Sequence, residues 1–288
     1  MRTVTTSVNA TSDGVAKHRA ATPLVPAVTR AAAILDVLAA DARANVSPPT
    51  QLSDLARRLD LPKSSVANLC TALMEAGLIR RIGAGFGLGR HLAELGGAYL
   101  STIDQVQAFY EHTEQLPVAS EETAHLAVLD GLEITYLARH DGRQAIRIAS
   151  AVGRRLPASC TALGKAALAS LSPDDLTQRL RGVEHLPTLT ARSHRHVAAL
   201  LDDLDEVRLR GYAIDDEETS EGIVCLGVAI PPEGPSEARY AVSATLLKAR
   251  ADADRRAAVV ADLCRLARLL TNPMTGESIA TSRDASVR

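Results

Sequence analysis

Apolar residues recur at helical spacing in three segments near the start of the chain, at 26–40, 52–59 and 63–76. Within each segment an apolar side chain returns every three or four residues, which is the period of an α-helix. A short turn at 60–62 separates the second segment from the third. Gly77 is a suitable end for the third, because glycine accepts the left-handed conformation that often follows a helix. The pattern predicts two helices, a turn and a third helix.

The residues after Gly77 change from helical to alternating spacing. Positions 78–82 alternate like a strand, and the glycines between 83 and 87 allow a tight reversal. Phe86 and Leu88 then supply a return strand. Three helices followed by a two-stranded hairpin is the order of a winged helix-turn-helix domain, a common DNA-binding module.

Beyond the hairpin the pattern predicts a linker and a second domain. An amphipathic stretch at 90–116 predicts one or two linker helices, which Pro117 ends. Strands are predicted at 123–129, 133–139, 145–150, 212–215, 223–230 and 239–247, and helices at 161–171, 174–180, 197–210 and 252–270. Strands, a helical middle, further strands and a terminal helix indicate an α+β domain.

The whole chain of 288 residues is therefore expected to be α+β with two folded domains. The predicted parts are a disordered arm at 1–23, a winged helix-turn-helix domain at 24–89, a helical linker at 90–117, a C-terminal α/β sensor domain at 118–271 and a disordered tail at 272–288.

Composition narrows the possible functions. The net charge is −2, so any binding of nucleic acid must depend on local charge. Aromatic residues are only 2%, which argues against base stacking on single strands. The four cysteines form no CxxC pair, which indicates neither a zinc finger nor a disulfide framework and fits the cytoplasm. No apolar run approaches the roughly 20 residues of a membrane span, and the first 23 residues lack the apolar core of a signal peptide.

The third predicted helix carries the side chains suited to DNA. In helix-turn-helix domains this helix enters the major groove. Lysine neutralises a phosphate, and asparagine pairs with an adenine edge. Arginines on the second helix and in the hairpin are expected to contact the backbone. The predicted DNA contacts are Lys63, Ser64, Ser65, Asn68, Thr71, Arg57, Arg58, Arg80 and Arg81. The same pattern also describes an ordinary helical hairpin, so spacing alone leaves both interpretations open.

Motifs in both halves of the chain resemble the IclR family of regulators. The first half contains Leu52-Ser-Asp-Leu-Ala-Arg-Arg58, Leu61-Pro-Lys-Ser-Ser-Val66 and Leu73-Met-Glu-Ala-Gly-Leu78. The second half contains Glu122-Thr-Ala-His-Leu-Ala-Val-Leu129, Gly153-Arg-Arg-Leu-Pro157, Thr161-Ala-Leu-Gly-Lys-Ala166 and Gly211-Tyr-Ala-Ile-Asp-Asp-Glu-Glu218. The resemblance spans about 25–270 and depends on many motifs in one order.

The resemblance implies a transcription regulator that binds a palindromic operator in double-stranded DNA as a homodimer, which often pairs again into a dimer of dimers. It implies a GAF-like C-terminal domain for a small carboxylate or aromatic effector, and no cofactor or metal. By family position, the effector pocket would be lined by Ile148, Leu156, Ala162, Leu163 and Ile223, with polar groups from Asp215, Cys225, Ser243 and Thr245. The first amides of the 161–171 helix could hold a carboxylate, because a helix N-terminus favours anions.

Two other functions remain open from the residues themselves. One is a GAF-like cysteine-dependent enzyme that uses Cys225, and the other is a dimerisation module without a ligand. The chain has no GxSxG or HExxH motif. Cys225 lies among apolar residues with no neighbouring cation to lower its pKa. The sequence therefore favours a regulator over an enzyme, with Cys225 as either a pocket residue or a small buried hydrophobe.

Overall fold

The computed structural model of the protein describes residues 25–144, 150–232, 234 and 238–271. The chain divides into two compact units, with the boundary between Tyr99 and Leu100. The predicted arm at 1–23, the predicted tail at 272–288 and the predicted strand at 145–150, except for its last residue, lie outside the described residues.

The first unit has the predicted winged helix-turn-helix order. Its elements are α1 (Pro26–Arg43), α2 (Leu52–Leu59), α3 (Lys63–Glu75), β1 (Ile79–Ile82), β2 (Gly85–Leu88) and α4 (His91–Leu100). Strands β1 and β2 form an antiparallel hairpin in which Ile79 pairs with Leu88 and Ile82 with Gly85. Helix α1 continues to Arg43, beyond the predicted end at residue 40, because nothing interrupts it before the turn at Asn45.

A small aliphatic core holds the three helices of this unit together. Ile34, Leu55 and Val66 are fully buried, one from each of α1, α2 and α3. Cys70 is buried with them, and Leu69 and Met74 are partly buried and pack against this core. The inner face of α3 is therefore apolar, and its polar residues lie on the opposite face.

Among its described residues, the second unit contains one six-stranded antiparallel sheet and five α-helices. The elements are α5 (Asp104–Thr113), β3 (Thr123–Asp130), β4 (Glu133–Asp141), β5 (Arg155–Pro157), α6 (Ala162–Ala169), α7 (Pro173–Leu180), α8 (Val197–Arg210), β6 (Ala213–Asp216), β7 (Ile223–Ala229), β8 (Tyr240–Leu247) and α9 (Ala253–Leu269). The strand order in the sheet is β5-β4-β3-β8-β7-β6. The predicted elements agree with these to within a few residues, except that the short strand β5 was not predicted.

The sheet lies between two layers of helices. On one face it packs against α5 and α9, with a core that includes Phe109 and Leu266. On the other face it packs against α6, α7 and α8, with a core that includes Leu168 and Leu200. Helix α5 lies in the stretch predicted to be a linker, yet Phe109 is fully buried, so this helix is part of the second unit's core.

Helix α6 approaches the sheet at backbone distance, and Gly227 allows it to do so. A Cβ atom added at Gly227 on β7 would lie 2.6 Å from the carbonyl carbon and oxygen of Ala162 at the start of α6. A Cβ atom added at Gly164 would collide with the backbone of Ala158, in the turn that leads into the helix. The N-terminal turn of α6 therefore lies directly over β7 and close to the turn that precedes it.

The substitution Gly227→Ala is expected to lower the free energy of unfolding of the second unit by about 1–3 kcal/mol, because the added methyl group forces α6 away from β7. Urea denaturation followed by circular dichroism measures this change. Gly234→Ala is the matched control, since a Cβ atom there meets nothing within 4 Å. Equal stability of the two variants would contradict the described packing.

Candidate DNA-binding surface and effector pocket

The outer face of α3 gathers the five predicted contacts of that helix. Lys63, Ser64, Asn68 and Thr71 are exposed, and Ser65 is half-buried. The Thr71 hydroxyl donates to the carbonyl of residue 67 on the preceding turn, at 3.1 Å. Within the described part of the chain, the side chains of the other four make no hydrogen bond or ion pair. These polar groups therefore face solvent at the start of the helix.

The N-terminus of α3 also presents backbone donors. Pro62 precedes the helix, and no side chain caps the first turn. The first amides of an α-helix have no partner within the helix and carry partial positive charge. Together with the ammonium group of Lys63, they make this end of the helix locally positive on a chain of nearly zero net charge.

The two arginines of α2 differ in their surroundings. Arg57 is exposed and lies 3.3 Å from Asp54. The Arg58 guanidinium donates two hydrogen bonds to Asp41 on α1, at 2.6 and 2.8 Å, and the Thr50 hydroxyl donates a third to Asp41. Burial disfavours the charged form of Asp41, but hydrogen bonds from Arg58 and Thr50 hold its pKa below the ordinary value. Arg58 therefore joins α1 to α2 within the domain, in addition to any contact that it makes with DNA.

The two arginines of the hairpin are also exposed. Arg80 donates from Nε to the carbonyl of Leu88 at 3.2 Å. The Arg81 guanidinium lies 5.1 Å from the ring centroid of Phe86. Both contacts are local to the hairpin, and they orient the side chains without neutralising their charge.

A cavity of about 100 Å³ lies in the second unit, between the start of α6 and the sheet. Eight of the nine predicted effector residues line it, and the ninth, Ile148, lies outside the described residues. The eight are Leu156, Ala162, Leu163, Asp215, Ile223, Cys225, Ser243 and Thr245. Six further lining residues were not predicted, namely Tyr136, Ser150, Arg154, Thr161, Thr219 and Ser220.

Sheet register explains why residues far apart in sequence converge on the cavity. Asp215 on β6 pairs with Cys225 on β7, which in turn pairs with Thr245 on β8. Ser243 precedes Thr245 by two positions and so lies on the same face. Polar side chains therefore cross the cavity floor in a row, on the face covered by α6.

Asp215 is buried, and the loop that follows it uses both of its oxygens. Oδ1 accepts from the amides of Glu218 and Thr219, at 2.8 and 3.1 Å, and Oδ2 accepts from the Thr219 hydroxyl at 2.6 Å. Burial raises the pKa of Asp215, although these hydrogen bonds oppose the rise. Asp215 therefore lines the cavity while its carboxylate accepts hydrogen bonds from its own neighbours.

Cys225 has a neutral thiol in these surroundings. Its Sγ lies 3.4 Å from the Thr245 hydroxyl. Burial, and next the negative charge of Asp215, raise the pKa of Cys225 well above its ordinary value. A thiolate nucleophile is therefore disfavoured, since the thiolate is the reactive form of cysteine.

The start of α6 offers two amides to the cavity. The Thr161 side chain caps the helix by accepting from the amide of Gly164 at 2.9 Å. The amides of Ala162 and Leu163 have no hydrogen-bond acceptor among the described residues. Both residues line the cavity, so a helix N-terminus with unsatisfied donors opens into it.

A buried histidine contacts two of the residues that line the cavity. His125 Nε2 lies 2.8 Å from the Ser150 hydroxyl, and its ring meets the ring of Tyr136 edge-on at 5.0 Å. Burial, and next the positive charge of Arg139, lower the pKa of His125 to about 3. The imidazole is therefore neutral at physiological pH and adds no charge to the cavity wall.

A buried cluster of charges fixes the loop after β6, and no sequence signal pointed to it. Lys165 on α6 is fully buried, and its Nζ lies 2.5 Å from Glu218 and 2.6 Å from Asp203. Arg210 also pairs with Asp203, at 3.2 Å, and His194 lies at the same distance. Ligand atoms of His194, Asp203 and Glu218 all lie within 4.8 Å of one another. Lys165 and Arg210 supply two positive charges beside these two carboxylates, which offsets the negative charge that would attract a metal ion.

None of the helices that the structure describes is long and apolar enough to cross a membrane.

Comparison with known families gives matches over both units. The model described as "Bacterial transcriptional regulator IclR C-terminal" matches residues 97–272, and the IclR helix-turn-helix domain model matches residues 27–83. The Escherichia coli regulator XynR is 31% identical over 210 residues, which cover 72% of this chain and 81% of XynR. The Escherichia coli transcriptional repressor IclR is 30% identical over 217 residues, covering 73% of this chain and 76% of that protein.

Solved structures have the same fold. A transcriptional regulator from Rhodococcus sp. RHA1 superposes with a TM-score of 0.71 at 26% identity, covering 86% of this chain and 97% of that one. An IclR homologue from Microbacterium hydrocarbonoxydans, crystallised with 4-hydroxybenzoate, gives a TM-score of 0.68 at 22% identity and covers 86% and 99%.

These relatives are transcription regulators and not enzymes. The chain belongs to the IclR family of DNA-binding transcription regulators, in which a helix-turn-helix domain is joined to an effector-binding C-terminal domain of GAF-like fold.

Proposed function

We propose that this regulator binds a palindromic operator as a cytoplasmic homodimer, which pairs again into a dimer of dimers, and that a small carboxylate in the cavity changes its affinity for the operator. The observation that carries the proposal is the cavity at the N-terminus of α6, where eight predicted effector residues meet. We also propose that the DNA-binding domain and the effector domain have the boundaries predicted from the sequence, except that α5 of the predicted linker belongs to the effector domain.

On the DNA side, the outer face of α3 supplies two kinds of contact. Lys63 and the uncapped amides of the first turn suit phosphate, and they give affinity without sequence preference. Ser64, Ser65, Asn68 and Thr71 are proposed to face base edges or adjacent phosphates. Arg57, Arg80 and Arg81 are proposed to contact the backbone on either side. Arg58 supports these contacts by holding α2 against α1.

On the effector side, the cavity suits a short acid. Unsatisfied amides at a helix N-terminus favour a carboxylate. A volume of about 100 Å³ is smaller than the roughly 150 Å³ cavity that holds benzene in a well-studied case. An aliphatic acid of a few carbons therefore fits better than an aromatic acid. The relative crystallised with 4-hydroxybenzoate supports organic acids as the effector class. The aromatic ring of that ligand would require this cavity to expand.

The test of the proposal is whether effector binding and DNA binding are coupled. Fluorescence anisotropy measures the affinity of the full chain for the DNA upstream of its own coding sequence, with and without acetate, butanoate, succinate, glutarate or 4-hydroxybenzoate. At least one acid is expected to change the affinity about fivefold or more, the usual lower range of allosteric coupling. Equal affinity in the presence of every acid would overturn the proposed effector function.

Lys63→Ala is expected to weaken binding to all duplexes by a similar factor and to reduce the salt dependence by about one released counterion, because it removes one phosphate contact. Anisotropy titrations on operator and unrelated duplexes at several salt concentrations measure both effects. Arg181→Ala is the matched control, since this exposed arginine lies in the effector domain. A loss confined to the operator would contradict a phosphate role for Lys63.

Asn68→Ala is expected to relax preference at one base pair of the operator, with a loss of about 1–3 kcal/mol for the preferred base and little change elsewhere. Binding to a set of single-base operator variants measures the preference at each position. An unchanged preference at every position would show that Asn68 does not contact a base.

Asp215 and Thr245 are expected to differ in their effects. Asp215→Ala lowers the free energy of unfolding without any effector, by about 1–3 kcal/mol for each amide left unsatisfied. Thr245→Val keeps the shape and stability, but it lowers effector affinity about tenfold by removing one hydrogen bond to a charged group. Thermal unfolding of the free protein and calorimetric titration separate the two. A stable Asp215→Ala variant would contradict the loop-holding role.

A further inference from the structure

The cavity has a second polar end, on the strands farthest from Asp215. Tyr136 lies on β4 and Cys225 on β7, three strands apart in the sheet, which is about 14 Å between backbones. Tyr136, Ser150 and Arg154 line the cavity together with Asp215 and Cys225. Residues from strands that are far apart in the sheet therefore enclose one space on the face covered by α6.

The Tyr136 phenol is an unsatisfied donor that faces this space. Only 6% of the surface of Tyr136 is exposed. Its hydroxyl makes no hydrogen bond to any residue that the structure describes. A hydroxyl that lines a cavity without a protein partner is available to donate to a bound molecule there.

The neighbours of Tyr136 make this end suited to a negative charge. The backbones of Tyr136 and Arg154 are paired, with the Tyr136 amide donating to the Arg154 carbonyl at 3.0 Å. Burial is the main cause that raises the pKa of Tyr136, and Arg154 lines the same cavity. The phenol therefore remains a hydrogen-bond donor in a cavity that an arginine also lines.

Ser150 adds a positioned hydroxyl. Its Oγ lies 2.8 Å from His125 Nε2 and accepts from Arg139 at 3.3 Å, since a guanidinium only donates. Three polar groups, the Tyr136 phenol, the Ser150 hydroxyl and the Arg154 side chain, thus line the same cavity.

We infer that the effector is a short dicarboxylate, with one carboxylate at the amides of Ala162 and Leu163 and the second at Tyr136, Ser150 and Arg154. This inference rests on the proposed function, since it names the chemistry of the same effector. Tyr136 is the specificity-determining residue, because its hydroxyl has no other partner.

The experiment compares butanoate with succinate, which have the same four-carbon chain and differ by one carboxylate. Calorimetric titration of the full chain measures both affinities for the natural protein, for Tyr136→Phe and for the control Tyr110→Phe, whose tyrosine is exposed on α5. The natural protein and Tyr110→Phe are expected to bind succinate about tenfold more tightly than butanoate, which corresponds to one charge-assisted hydrogen bond. Tyr136→Phe is expected to reduce this ratio to about threefold or less, with butanoate affinity unchanged.

A ratio near one in the natural protein, or an undiminished ratio in Tyr136→Phe, would overturn the inference. Anisotropy with DNA in the same samples separates this result from failure of the proposed function. Equal binding of both acids with a change in DNA affinity overturns only the second carboxylate site. A preference for succinate without a change in DNA affinity supports the site and overturns the regulatory role. Absence of binding by both acids contradicts both.

Discussion

The backbone-to-backbone packing of α6 on the sheet is the constraint on which the effector domain depends. Gly227 removes the side chain that would keep the helix at ordinary distance from the sheet, and Gly164 lets the turn at Ala158 pack against the helix. As a result, the first turn of α6 lies over β7 and β8, and its amides open toward the polar row on the sheet. A helix N-terminus carries partial positive charge only within its first turn, so this close approach decides where an anion can be held.

A buried network of charges joins this helix to the loop that follows β6. Lys165 points away from the cavity and binds Glu218, while Asp215 binds the amides of the same loop. Thr219 and Ser220, which line the cavity, therefore lie on a segment fixed from both sides. Removing one partner of such a network leaves an uncompensated buried charge. The position of the loop is thus tied to α6 and α8 rather than left to its own sequence.

Periodicity was sufficient to predict most elements and the order of the first unit, because its helices and hairpin are stabilised by local pattern. It did not predict that α5 enters the core of the second unit, since an amphipathic face does not indicate its partner. The effector-pocket residues were predicted from the family resemblance. Sequence spacing alone gave no reason to place Asp215 and Thr245 in the same pocket. The sequence did not indicate the roles of Tyr136 and Lys165 or the pairing of Arg58 with Asp41, because these contacts join residues that are distant in sequence. A tyrosine in an apolar strand carries no signal that its hydroxyl lacks a partner.

The central claim, that an anionic effector occupies the space between the start of α6 and the sheet, is tested most directly by hydrogen exchange of the full chain with and without saturating succinate. The account predicts slower exchange in peptides that contain residues 161–164 and 219–223, because a bound carboxylate protects the helix amides and stabilises the adjacent loop. Unchanged exchange in these peptides, with protection elsewhere in the chain, would contradict it.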